Sequence, residues 1–116
     1  MKRLSESEME YIRTRITYWQ TKLGQLRWNI QLRFVPRIDT AKADCECRGQ
    51  DGIADIRFSK QFDDEWDNTD LDKTAFHEVS EIKYWILREF LAPDIADRIV
   101  HEWIRTDENT VFEYMK

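Results

Sequence analysis

The chain has 116 residues, enough for one modest core and too few for two, so residues 1–116 read as a single domain. Hydrophobic residues make up 41% of it, including five Trp, four Tyr and six Phe, and charged residues make up 35%. A net charge of −5 argues against broad phosphate binding, and no apolar run approaches the length of a membrane span. Met1-Lys2-Arg3-Leu4-Ser5-Glu6-Ser7-Glu8 lacks the apolar segment of a signal peptide, which predicts a cytoplasmic protein without a membrane association.

Ser5 followed three residues later by Glu8 is a capping-box signal, with Ser5 as the expected N-cap. Met9, Ile12, Ile16, Trp19 and Leu23 then recur at helical spacing, and Gly24 can close the helix in the left-handed conformation. Trp28-Asn29-Ile30-Gln31-Leu32-Arg33-Phe34-Val35 alternates apolar and polar like a half-buried strand, and Pro36 stops it. A weaker strand is expected around Cys45-Glu46-Cys47-Arg48, followed by a turn at Gly49-Gln50-Asp51-Gly52. In an extended segment both thiols of this C-x-C face one side, where a bridge between such close neighbours would be strained. Two cysteines do not make a zinc site alone, so ordinary reduced thiols are expected. Ile53-Ala54-Asp55-Ile56-Arg57-Phe58 alternates again, with Ile56 and Phe58 on one face. These strands predict a small, mainly antiparallel sheet covered by helices on its apolar face.

The stretch Asp63-Asp64-Glu65-Trp66-Asp67-Asn68-Thr69-Asp70-Leu71-Asp72 is acidic but lacks the glycine and terminal glutamate of an EF-hand loop. Mimicry of nucleic-acid charge is a second reading of so many carboxylates. The plainest is a solvated approach to a helix, with Asp70 or Asp72 near its positive end. That helix is expected from about Asp72 to Leu91, with Ala75, Val79, Ile82, Ile86 and Phe90 on its core face. Ala92-Pro93 ends it, and Asp94 is placed to cap a closing helix carrying Ile95, Ile99, Val100, His101, Trp103 and Ile104. Val111-Phe112-Glu113-Tyr114 either continues that helix or packs as a short extension.

His77 and Glu81 stand four residues apart, on the helix flank opposite the core, where both can reach one ion. With Glu78 they form His-Glu-x-x-Glu, one residue away from the His-Glu-x-x-His of zinc metalloproteases. The only other histidine is His101. A catalytic zinc takes three protein ligands, and His77, Glu81 and His101 supply two imidazoles and a carboxylate. Glu78 is then the expected general base, taking a proton from water activated by the metal. If the motif helix reaches Leu91, a tight return leaves His101 about 10 Å along the axis from His77. A shorter helix or a skewed crossing would close that distance, and Glu102 and Glu108 are the fallback ligands.

Taken together, these segments resemble the small zincin-type metallopeptidases of phages and prophages, relatives of the SprT-like proteins. The likeness runs from Tyr18-Trp19-Gln20-Thr21-Lys22-Leu23-Gly24 and Trp28-Asn29-Ile30-Gln31-Leu32 through Ile53 to Phe58, the acidic lead-in, the His77-Glu78 helix and the closing helix. It implies an α+β, zincin-like fold: an N-terminal helix, a small sheet, the motif helix and a closing C-terminal helix. In that family both motif histidines and a downstream glutamate bind zinc, with the motif glutamate as base. Here Glu81 stands at the second histidine and His101 near the glutamate, a reciprocal exchange that keeps two histidines and one carboxylate.

The function so implied is a zinc-dependent metallopeptidase acting on a protein or peptide substrate. The alternative is a metal-free relative of the same fold, an inactive phage factor that binds and inhibits a host protein through its acidic surface.

Overall fold

The computed structural model describes residues 2–38, 41–62 and 65–113. Asp63 and Asp64 of the acidic stretch, and Tyr114 of the tail, lie outside them. In chain order the elements are β1 (Lys2–Arg3), α1 (Glu6–Lys22), β2 (Asn29–Val35), β3 (Ala43–Arg48), β4 (Ile53–Ser59), β5 (Gln61–Phe62), α2 (Asn68–Lys83), α3 (Trp85–Phe90) and α4 (Pro93–Glu113). The architecture is α+β, and no helix among the described residues is long and apolar enough to cross a membrane.

α1 forms as its capping box dictates. The Ser5 side chain accepts from the Glu8 backbone N–H, and the Glu8 carboxylate accepts from the Ser5 N–H. Gly24, at φ 70°, ends the helix where a side chain would be strained. Met9, Ile12, Ile16 and Trp19 are buried on one face. Trp19 meets Phe76 of α2 and Phe112 of α4 at ring-centroid distances of 5.0 and 5.7 Å, so one aromatic cluster joins three helices. The buried Asp72 carboxylate reinforces that junction, accepting from Trp19 Nε1 at 2.7 Å and Arg15 Nε at 2.8 Å.

The three-stranded sheet is mixed rather than mainly antiparallel. Its order is β2-β4-β3, with β2 parallel and β3 antiparallel to β4. The turn at residues 49–52 reverses β3 into β4, whereas the connection after Pro36 carries the chain past the place that β4 later fills. The middle strand β4 is the most buried of the three, with Ala54, Ile56 and Phe58 fully buried. β1 and β5 add a separate two-stranded antiparallel ribbon that the sequence pattern did not announce.

α2 begins earlier than expected. Its N-cap is Asp67, locked reciprocally with Asp70, while Asp72 is a buried structural carboxylate one turn inside. It also ends earlier, at Lys83, because the chain bends at Tyr84 before the short α3. Ile86 and Phe90 are consequently 49% and 80% exposed, and are not part of the core. Tertiary contacts pull the bend into place. Trp85 packs edge-on against Trp28, with centroids 5.5 Å apart, and against Gly49, while the Tyr84 hydroxyl donates to Asp107 of α4. Pro93 opens α4 as its first helical residue, so Asp94 lies inside the first turn and is not the cap.

Candidate metal centre

The bend at Tyr84 decides the site. With α2 stopping at Lys83, α4 returns close beside it, and His101 arrives at the level of Glu81. His77 Nε2 lies 3.5 Å from Glu81 Oε1, and His101 Nε2 lies 3.3 Å from the same oxygen. The two imidazoles stand 5.9 Å apart between centroids, tilted by 35°. One ligand atom from each of His77, Glu81 and His101 lies within 4.8 Å of the other two. Among the described residues this is the one such group, and Glu102 and Glu108 do not join it.

The donor set fits a small divalent ion. Ligand atoms bonded at about 2.0–2.2 Å around a tetrahedron stand about 3.4 Å apart, close to the two contacts at Glu81 Oε1. Two imidazoles and one carboxylate supply three donors, and a tetrahedral ion held by them would keep a fourth position for water or another ligand.

A second layer holds the three side chains. Arg88 donates from Nε and Nη2 to Glu81 Oε2 at 3.2 and 3.1 Å, and from Nη2 at 3.4 Å to Oε1, the oxygen that faces the histidines. It also donates from Nη1 to Asp97 Oδ1 at 3.2 Å, and Asp97 Oδ2 lies 3.4 Å from His101 Nδ1. Asp97 therefore engages the far nitrogen of His101 while Nε2 looks into the site, the usual role of a carboxylate behind a metal-binding histidine. The helical period already placed Arg88 on the flank of His77 and Glu81, whereas Asp97 did not stand out in the sequence. The signal was the i, i+4 pair of Asp97 and His101 on one helix face.

The surrounding charges follow from this packing. Burial alone would raise Glu81, but His77 and Arg88 outweigh it and hold the carboxyl below its usual 4.5. The contact with Glu81 raises His77 above 6.5 against the opposing effect of burial. Glu78, 6% exposed, is pushed up from 4.5 to about 7, first by burial and then by Glu81 and Asp44, with His77 opposing. Its side chain borders a cleft of about 360 Å³ shared with His77, Lys42, Lys73, Thr74 and Glu108. Cys45 and Cys47 of β3 are free thiols with Sγ atoms 3.9 Å apart. The hydrogen bond between them raises Cys45 and lowers Cys47.

Comparison of the chain with protein-family models, with curated proteins and with solved structures returned no match.

Proposed function

We propose that the protein is a zincin-like, metal-dependent hydrolase of peptide bonds, with His77, Glu81 and His101 holding the ion and Glu78 acting as the base. The observation that carries this reading is the convergence of the three donor atoms within 4.8 Å, with Glu81 Oε1 3.5 and 3.3 Å from the two imidazole nitrogens. Zinc is the ion that the motif and the ligand set favour. Once bound, a divalent ion supplies Lewis acidity toward a peptide carbonyl and toward water.

The remaining work falls to side chains. Glu78 sits one residue from a ligand, at the cleft wall, with its carboxyl poised near 7. A base so poised can take a proton from water and return it to the departing amine with little change in free energy. Arg88 and Asp97 restrain Glu81 and His101, so less freedom remains to be lost when an ion binds. Lys42 and Lys73 place positive charge along the cleft, where a peptide carbonyl or carboxylate can lie.

One observation favours the metal-free binding factor instead. Arg88 already neutralises Glu81, so the cluster is charge-compensated without an ion. Metal content of the purified chain separates the two readings, measured beside His77→Ala and His101→Ala. One equivalent of zinc, absent from both variants, and a melting temperature raised by zinc and lowered by chelator support the metal centre. A chain without zinc, whose melting ignores both additions, refutes it. Glu78→Gln should then keep the ion and lose turnover, and persistent hydrolysis would show that Glu78 is not the base.

A further inference from the structure

β3 turns two thiols toward the same helix that carries the motif. Cys45 and Cys47 pair with Ile56 and Ala54 of β4, both fully buried, so their side chains share the face that packs on the core. Both are half-buried, and Glu78 and Glu81 of α2 lie close enough to act on Cys45 electrostatically.

The spacing of the sulfurs discriminates between their uses. A disulfide needs about 2.05 Å between sulfurs and Cα atoms no more than about 6.8 Å apart. Alternate residues of an extended strand stand about 6.6–6.8 Å apart, at the limit of that range, so closing the bridge would distort the ladder to β4. Two sulfurs sharing one tetrahedral ion at about 2.3 Å stand about 3.8 Å apart. The Sγ atoms lie 3.9 Å apart without any such rearrangement.

We propose that Cys45 and Cys47 form a second cation site, for a soft thiophilic ion such as Cd2+, Hg2+ or Cu+, distinct from the imidazole–carboxylate group. Neither sulfur belongs to the three-ligand group at His77, Glu81 and His101. Two thiolates fall short of the four ligands of a structural zinc, so water or another small ligand completes the shell. Softness then sorts the ions: thiolates select Cd2+ or Cu+, while imidazole and carboxylate take zinc. The site does not depend on the hydrolase reading.

Cadmium alone is the probe, titrated into the metal-free full chain while the ultraviolet thiolate-to-cadmium charge-transfer band is followed. The band should saturate at one equivalent in the wild type and in His77→Ala, and vanish in Cys45→Ser and Cys47→Ser. Because a serine variant can misfold, cadmium-113 resonance of the wild type provides a second readout and should report two sulfur ligands. A wild type with no band, or a resonance of nitrogen and oxygen ligands only, overturns the proposal. Loss of the band in a folded His77→Ala would show a single composite site and overturn it equally.

Discussion

Glu78 allows the electrostatics of the cleft to be tested without any substrate. Its carboxyl is 6% exposed, and burial moves it from 4.5 up to about 7. Between those values the folded protein holds a proton that the unfolded chain has released. Stability therefore falls as pH rises through the window, and the loss is complete above about 7. The interval corresponds to about 3 kcal/mol of destabilisation at full ionisation. Glu78→Gln removes the ionisation and keeps the shape. In metal-free protein the two chains should unfold at similar denaturant concentrations below pH 4.5, and the variant should gain up to about 3 kcal/mol above pH 7. His77 adds a decline of the same sign in both proteins, since its raised value means stability is lost as pH climbs through it. The difference between the curves therefore isolates Glu78, apart from what the two groups exchange directly. Urea denaturation across this range is the measurement, and parallel curves would show that the carboxyl is solvated and unsuited to the role of base.

Two further substitutions test the scaffold that sets the site. A Cβ on Gly49 would fall 2.0 Å from Trp85 Cη2, so Gly49→Ala should cost about 1–3 kcal/mol in urea, with most of that cost removed in a Trp85→Leu background. Asp72→Ala leaves Arg15 and Trp19 without their buried acceptor and should cost about 3–5 kcal/mol by the same assay, whereas a cost under about 1 kcal/mol would mean that the α1–α2 junction is held by its aromatic rings alone.

Local chemistry wrote much of the fold into the sequence. The Ser5–Glu8 box, the positive φ of Gly24 and the alternation through Ile56 and Phe58 all act within a few residues, and all three appear where expected. Asp67-x-x-Asp70 carried the same kind of signal, obscured by the other carboxylates around it. What stayed hidden depends on distant partners. Nothing between Ile82 and Arg88 breaks a helix by itself, and Ile86 and Phe90 even continue the apolar period. The bend at Tyr84 comes from Trp28, Gly49 and Asp107, which local periodicity does not register. The parallel pairing of β2 with β4 is equally remote, being a matter of strand order rather than strand pattern. The site inherits this division: His77 and Glu81 were legible as an i, i+4 pair, whereas the arrival of His101 required the bend.

Glu81 itself is the residue whose identity the surroundings explain best. Its Oε2 is taken by Arg88, and its Oε1 lies within 3.5 Å of both imidazole nitrogens. Glu81→His would complete the orthodox motif, yet it would set a third imidazole against the guanidinium and remove the only carboxylate in the three-ligand group. Arg88 would keep Asp97 as its partner but lose Glu81, leaving positive charge beside the ion. On the metal-centre reading, Glu81→His should therefore bind zinc more weakly than the wild type, at least tenfold, the scale of a disturbed outer partner. Adding Arg88→Ala should recover part of the loss. Competition against a zinc chelator measures both. If the single variant binds zinc more tightly than the wild type, Arg88 exerts no control over the site, and the carboxylate at this position has no electrostatic reason to be there.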